Sequence, residues 1–187
     1  MANTATAIYV PSSTGNYIDT GFNPTIFKDG DFTIEFWVYN YNNHILNSYG
    51  GSPSTHGIYC ISGFGGTWYI NGTTGNAGIA NGLVASQTRW QHAAYVRNGD
   101  TVRSFKDGKL VATNSANFGN LGPTGNINLG RGGDGDTGTD GQFAGLDGFR
   151  ISHGALYGNI DVPTTQLKTW QNAGRGQNTL LPHHTKY

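Results

Sequence analysis

The groups in this sequence that are best suited to chemistry are its carboxylates. Glu35 is the only glutamate, and it stands within the apolar run Ile34-Glu35-Phe36-Trp37-Val38. Hydrolysis of a glycosidic bond uses two carboxyl groups, about 5 Å apart for retention and about 6.5–9.5 Å apart for inversion. Glu35 has no second glutamate as a partner, and no pattern supports catalysis by aspartates alone. We therefore interpret Glu35 as a polar residue of a strand and predict that the protein is not an enzyme.

Asp134, Asp136 and Asp140 form an acidic cluster in a glycine-rich segment. Ca²⁺ binds about 6–8 oxygen ligands in flexible geometry, so these aspartates are candidate calcium ligands. Their spacing differs from that of an EF-hand loop, and no glutamate follows to bind the ion with both oxygens. A solvated turn is the favoured alternative, and the sequence indicates no required cofactor.

Other motifs that suggest chemistry are incomplete. Residues 130–135 match G-x-G-x-x-G, but glycine and aspartate follow where a nucleotide site needs a helix. Cys60 is the only cysteine, so no internal disulfide can form, and its strand-like surroundings predict a buried, inert thiol. His92 lies in the strand-like segment 90–97, where alternation predicts that it faces the core.

The composition favours an all-β protein. Of 187 residues, 30 are glycine, 12% are aromatic and only 12% are charged. Glycine costs roughly 1 kcal/mol at each helical position, whereas it suits tight turns. Short segments rich in β-branched and aromatic residues recur between turn signals, which is typical of a sandwich or barrel. The predicted strands cover residues 7–10, 17–20, 32–39, 58–62, 67–70, 90–97, 101–105, 110–113, 127–129 and 142–151.

The pattern of residues 32–39 predicts a central strand. Its even positions are apolar and should face the core, while Trp37 indicates that the opposite face is partly covered as well. Segments 90–97, 101–105 and 110–113 are joined by tight-turn signals and predict an antiparallel meander. The second of these turns, Asp107-Gly108, fits type I′, which needs positive φ at both central residues. From about residue 168 the strand pattern ends.

Charge and length exclude several kinds of partner. The formal net charge is zero and no basic stripe is present, so we expect no nucleic acid partner. No apolar run is long enough to span a bilayer, so we expect no membrane partner. The first six residues lack the features of a signal peptide, and together with the single cysteine they predict synthesis in a reducing cytoplasm.

Four segments in order resemble the laminin-G-like, concanavalin A-like lectin/glucanase superfamily: residues 32–38, 90–97, 105–112 and 143–152. The resemblance implies a two-sheet antiparallel jelly-roll sandwich over residues 1–167, followed by an irregular tail over residues 168–187. Retaining glucanases of that superfamily carry Glu-x-Asp-x-x-Glu on a strand. No acidic residue stands two or five positions after Glu35, so the resemblance does not extend to that activity.

The end of the domain resembles that of such domains in bacteriophage structural proteins, through residues 150–157 and 162–167. This resemblance implies a non-catalytic structural or interaction protein of a virion, assembled in the host cytoplasm. It would decorate the capsid or associate with the tail. Its partners would be other capsid or tail proteins and itself, with the C-terminal tail as an assembly arm.

The alternative is a carbohydrate-binding, lectin-like adhesion module that recognises a cell-surface glycan. Aromatic rings stack on sugars and amides bond their hydroxyls, so loop residues of these types are candidate ligand-binding residues. They are Tyr41, Asn43, Tyr49 and Trp68. A third, weaker hypothesis is a degraded glucanase, which a sensitive assay on β-glucans would test.

The assembly-arm hypothesis predicts that deletion of residues 171–187 abolishes incorporation into particles and leaves the fold intact. Sedimentation of particles assembled with the truncated chain measures incorporation, and circular dichroism measures the fold. Normal incorporation of the truncated chain would contradict the arm.

Overall fold

Strands make up most of the part of the chain that the structure describes. This computed structural model describes residues 8–10, 17–42, 44–48, 57–61, 66–121, 125–130 and 142–158. The strands in these ranges are Ile8–Val10 (β1), Ile18–Asp19 (β2), Phe32–Asn42 (β3), His44–Asn47 (β4), Ile58–Ile61 (β5), Thr67–Asn71 (β6), Asn76–Ala80 (β7), Trp90–Asn98 (β8), Thr101–Lys106 (β9), Lys109–Ser115 (β10), Asn128–Leu129 (β11) and Gln142–His153 (β12). A short 3-10 helix covers Pro24–Phe27. Within the described residues no helix is long and apolar enough to cross a membrane.

The strands form two antiparallel sheets of six strands each. Sheet A has the order β1-β12-β3-β8-β9-β10, and sheet B has the order β2-β11-β4-β5-β6-β7. Strands β3 and β8 are neighbours in sheet A, whereas β4 to β7 between them in the chain lie in sheet B, so the chain crosses from one sheet to the other and back. The predicted two-sheet antiparallel sandwich is therefore confirmed. The predicted domain limit at residue 167 and the tail over residues 168–187 lie outside the described residues.

The central strand β3 is covered on both faces, as the sequence predicted. Its inward residues Phe32, Ile34, Phe36 and Val38 are fully buried in the core between the sheets. Its outward residues include Glu35, which is also buried. The outer face of sheet A therefore carries a second covered layer.

The predicted meander of β8, β9 and β10 is confirmed. Asp107 and Gly108 join β9 to β10 with φ values of 49° and 83°. Positive φ at both residues is the conformation of a type I′ turn, which matches the right-handed twist of the strands. The Asp107 side chain also accepts a hydrogen bond from the backbone N–H of His92 at 2.9 Å, which fixes the turn against the start of β8.

An aromatic stack joins the two sheets. The Trp68 ring of β6 lies parallel to the Tyr95 ring of β8, with centroids 4.9 Å apart, and contacts Phe36 of β3 at 5.7 Å. All three side chains are fully buried. The prediction that Trp68 is an exposed ligand-binding residue is thus wrong, because alternation along β6 turns Trp68 inward and Tyr69 outward.

Tyr41 is also a core residue and not an exposed one. Strict alternation along β3 would place it on the outer face with Tyr39. Asn40 has a φ of 44°, which breaks the alternation and turns Tyr41 into the core, where it is fully buried. Asn40 is a residue that adopts this left-handed conformation more readily than most. The prediction that Tyr41 faces a ligand is therefore also wrong.

A buried cation ties three loops to one end of sheet A. Arg97 donates hydrogen bonds to the carbonyl oxygens of Gly99, Lys28 and Gly119, at 3.0, 3.3 and 2.6 Å. Its guanidinium also lies 5.8 Å from the centre of the Phe118 ring. These bonds satisfy a charge that would otherwise be costly to bury.

Strands β4 and β7 were not predicted. Strand β7 has the sequence Asn-Ala-Gly-Ile-Ala, with a single β-branched residue, and it forms because its backbone pairs with β6. Strand β4 follows a run of asparagines and tyrosines that suggested a loop, and it pairs with both β5 and β11. Pairing with a neighbouring strand overrides weak local preference in both places.

We expect Trp68→Ala to lower the free energy of unfolding by about 3–5 kcal/mol, because it leaves a cavity at the contact between the sheets. Urea denaturation followed by circular dichroism measures this loss. The exposed Ile26 is a control, and Ile26→Ala should change stability by no more than about 0.5 kcal/mol. A Trp68→Ala variant as stable as the wild type would contradict the core position.

Candidate functional site

The outer face of sheet A brings together side chains from three adjacent strands. In register, Glu35 of β3 pairs with Arg150 of β12, and Trp37 of β3 pairs with His92 of β8. One step further along, Tyr39 of β3 lies between Gly145 of β12 and Trp90 of β8. The face has two halves, a polar half around Glu35 and an aromatic half around Trp90.

Glu35 is the centre of the polar half. Its Oε2 accepts a hydrogen bond from the Tyr157 hydroxyl at 2.6 Å and lies 3.5 Å from His92 Nε2. Its Oε1 forms an ion pair with the Arg150 guanidinium. The carboxylate therefore has partners from β12, from β8 and from the segment that follows β12.

These partners keep Glu35 ionised. Burial by itself would raise the pKa of the carboxyl group. The hydrogen bonds from His92 and Tyr157 and the charge of Arg150 outweigh burial and hold the pKa below its ordinary value. Burial and the bond to Glu35 raise the pKa of the Tyr157 hydroxyl, so this group stays protonated as the donor. A general acid needs the opposite shift, with a proton held near neutral pH.

Residues 154–158, which we call the strap, run across the outer face next to Glu35. The Thr33 hydroxyl donates to Gly154 O at 2.9 Å and accepts from Leu156 N at 3.0 Å. Ala155 and Tyr157 pack on an apolar cluster of the outer face. That cluster consists of Ala94, Val96 and Phe105, with Trp37 and Leu110 at its border. Among the described residues, the strap thus covers the polar half of the face, while Trp90 in the aromatic half stays exposed.

His92 does not face the main core, which corrects the sequence prediction. It is buried, but on the outer face, where its ring lies 5.1 Å from the Trp37 ring and contacts Glu35. The residues of β8 that face the main core are those that alternate with His92, including Gln91 and Tyr95. Because both faces of β8 are covered, both sides of the strand carry residues suited to burial. The sequence therefore did not show which side faces the main core.

Trp90 forms the floor of the aromatic half. Strands β8 and β12 lie on either side of β3, so they are about 10 Å apart. A Cβ added to Gly145 of β12 would nevertheless lie only 2.7 Å from Trp90 Cη2 and 3.1 Å from Cζ2. The indole therefore extends across β3 and lies over the backbone of Gly145, while 39% of Trp90 remains exposed.

Three further aromatic side chains share this half of the face. Tyr39 contacts Trp90 with ring centroids 5.6 Å apart, and Trp37 lies two residues before it on the same side of β3. Tyr9 of β1 is 64% exposed and lies between Ile8 and Val10, both of which pack into the main core. Tyr9 therefore points to the outer face as well. We call Tyr9, Trp37, Tyr39 and Trp90 the aromatic shelf.

The outer face of sheet B offers a less accessible aromatic pair. The Tyr59 and Tyr69 rings are stacked with centroids 4.4 Å apart and an angle of 13° between their planes. Tyr69 also lies over Gly78, where an added Cβ would be 2.7 Å from its ring. Each face of the Tyr69 ring is thus covered by protein, whereas Trp90 keeps a large exposed surface.

The remaining predicted site residues lie outside the described residues. They are Asn43, Tyr49, Asp134, Asp136 and Asp140. Among the residues that are described, no group of three or more His, Cys, Asp or Glu could hold a metal ion.

Sequence reasoning missed the aromatic shelf and the polar cluster. The available signal was the alternation of Trp90 and His92 along β8, but the sequence alone did not show which side of the strand faced the core.

Cys60 is buried, as predicted, and burial raises the pKa of its thiol. Its sulfur accepts a hydrogen bond from Asn81 Nδ2 at 3.4 Å.

The chain belongs to the concanavalin A-like lectin/glucanases superfamily, whose sequence pattern matches residues 12–159. A search of curated proteins found no match.

Similar folds occur in several solved structures of binding domains. The binding domain of Paraclostridial Mosquitocidal Protein 1 matches with a TM-score of 0.60 at 17% identity, over 89% of this chain and 46% of that one. The receptor binding domain of botulinum neurotoxin D matches with a TM-score of 0.58 at 12% identity, over 88% and 43%. Domains LG4-5 of the mouse laminin alpha1 chain match with a TM-score of 0.56 at 14% identity, over 78% and 41%. This chain spans less than half the length of each of these structures, and at such identities the likeness is one of fold.

We expect Glu35→Gln to lower the free energy of unfolding at pH 7 by about 2 kcal/mol. This is less than for a fully buried pair, since Arg150 is partly exposed. The pKa of Glu35 is lower in the folded state than its ordinary 4.5, so its stabilisation is present above pH 4.5 and is lost as the pH falls through the folded-state value. Urea titrations at a series of pH values should show the gap between wild type and variant narrowing in acid.

Tyr157→Phe, which removes only the hydroxyl donor, should cost about 1 kcal/mol. A gap between wild type and Glu35→Gln that stays constant or widens below pH 4.5 would contradict the ionised state of Glu35.

Proposed function

We propose that this chain is a non-catalytic binding module that recognises a glycan through the aromatic shelf. The observation that carries the proposal is the position of Trp90, whose indole lies along sheet A over Gly145 with 39% of the residue exposed. An aromatic ring that packs on a rigid sheet and is partly open to solvent suits contact with the apolar face of a sugar ring.

The physical basis of such binding is the burial of apolar surface between rigid partners. Aromatic side chains contribute a large contact area, and Trp90 and Tyr39 lose little freedom on binding because they already pack against each other at 5.6 Å. Asp147 lies beside Trp37 in register and brings a carboxylate to the edge of the shelf for bonds to hydroxyl groups. The shelf thus combines an apolar floor with a polar edge, as ligand sites commonly do.

The chemistry of Glu35 supports the non-catalytic part of the proposal. The carboxylate is buried and ionised, and Arg150, His92 and Tyr157 occupy its oxygens. It serves to hold the strap and the three strands together. A proton donor to a glycosidic oxygen would need a raised pKa and access to substrate.

The comparisons support a binding role at the level of fold. Two of the similar structures are described as a binding domain and a receptor binding domain, and the third is a pair of laminin LG domains. A module that recognises a cell-surface glycan or protein is consistent with these relatives.

A second candidate function is the structural role in a virion. It is favoured by residues 150–157, which resemble the ending found in bacteriophage structural proteins, and by the low charge of the chain. In the described residues Arg150 and Tyr157 of this ending hold the strap to Glu35. A decorating protein of a particle could also bind host sugars, so the two functions are compatible.

We expect Trp90→Ala to weaken glycan binding by about 10-fold or more, as for an aromatic anchor at the centre of an interface. A glycan array would identify a ligand for the full chain, and calorimetry would measure its affinity. Tyr17→Ala is a matched control, since Tyr17 is 43% exposed but lies beside β2 of sheet B. Equal loss in both variants, or none in Trp90→Ala, would exclude the shelf.

Gly145→Ala tests the position of the ring without removing it. The added Cβ would clash with the far edge of the Trp90 indole and lift it from the sheet. We expect weaker glycan binding and a changed tryptophan fluorescence, with a circular dichroism spectrum like that of the wild type. Binding in EDTA separates the shelf from the predicted calcium site at Asp134, Asp136 and Asp140, because the shelf requires no metal ion.

A further inference from the structure

We infer that the ligand of the aromatic shelf is a neutral glycan, and that the shelf discriminates against sialylated or sulfated ones. This inference rests on the proposed function and concerns the charges around the shelf. An anionic glycan needs a cation with hydrogen-bonding capacity to spare, such as an arginine that binds a carboxylate or sulfate with two bonds.

Among the described residues, the two arginines beside the shelf are each paired with a carboxylate. Arg150 forms the ion pair with buried Glu35. Arg89, which precedes Trp90, lies 3.4 Å from Asp107 Oδ2. Each pair is neutral as a whole, so neither brings a net positive charge to the shelf.

Asp147 gives the edge of the shelf a net negative charge. It pairs in register with Trp37 on β3 and is only half-buried. Its Oδ1 accepts a hydrogen bond from the backbone N–H of Gly148 at 2.7 Å. This bond stabilises the irregular part of β12, where the register with β3 shifts. Among the described residues, Oδ2 has no hydrogen-bond partner. With histidine counted as neutral, the ionisable groups named here are two cations and three carboxylates.

A neutral sugar fits these groups better than an anionic one. Its apolar face would lie on the aromatic rings, and one of its hydroxyl groups would donate to the free oxygen of Asp147 in a charge-assisted bond. A sialic acid or sulfate group at the same place would meet the like charge of Asp147, while the two arginines named above already face carboxylates. At separations of a few ångströms near the surface, this repulsion weakens binding at least about threefold.

The test compares matched glycans on the full chain. Neutral oligosaccharides and the same oligosaccharides with sialic acid or sulfate would be measured by calorimetry at low salt and at high salt. We expect the neutral member of each pair to bind at least about threefold more tightly at low salt. The difference should shrink at high salt, since the screening length falls from about 10 Å at 0.1 M to about 3 Å at 1 M.

The Asp147→Asn variant tests whether the difference in affinity between neutral and anionic glycans depends on this carboxylate. The asparagine keeps the oxygen that accepts from Gly148 N and loses only the charge, so it should narrow the difference between neutral and anionic glycans. Asp19→Asn is a matched control on sheet B, because Asp19 Oδ1 likewise accepts from a backbone N–H, that of Gly21 at 2.8 Å. This control should leave the difference unchanged, and both variants should keep the thermal stability of the wild type within a few degrees.

The outcomes separate the two proposals. Binding that is lost in Trp90→Ala but prefers the anionic glycan would overturn the neutral specificity and leave the proposed function standing. Equal binding of both members, insensitive to Asp147→Asn, would also overturn it. If no glycan of either kind binds, the proposed function fails and the specificity fails with it.

Discussion

The buried carboxylate of Glu35 is the group on which the outer face of sheet A depends. A charge on a strand that is covered on both sides has to be satisfied, and here Arg150, His92 and Tyr157 satisfy it from three different parts of the chain. Because Tyr157 belongs to the strap, the same bond decides where the chain runs after β12. The strap covers the apolar cluster around Phe105.

A glycine and a tryptophan then shape the half that stays open. Gly145 has no side chain, so the Trp90 indole can extend across β3 and reach the backbone of β12. A rigid antiparallel sheet below and an exposed aromatic ring above give a surface that is ordered before a ligand arrives. Such preorganisation would reduce the entropy lost on binding a ligand at the proposed site.

The segments that carry the superfamily resemblance meet in sheet A. Glu35, His92 and Arg150 belong to three of the segments that carry the superfamily resemblance, and they are more than 50 residues apart in sequence. They meet because β12, β3 and β8 are neighbours in sheet A. Segments that are distant in sequence thus contribute to one ion cluster, which holds three strands and the strap together.

The sequence by itself determined most of the strands, since alternation and turn residues act over a few positions, whereas β4 and β7 formed through pairing with their neighbours. It predicted the core face of β3, the meander, and the type I′ turn at Asp107 and Gly108. Only the tertiary structure decided which aromatic residues are exposed. Tyr41 turned inward because Asn40 adopts positive φ, and His92 faced outward because it pairs in register with the outward-facing Trp37 of β3. Side-chain exposure depends on which strands become neighbours, and that pairing joins residues too distant in sequence for any local pattern to show.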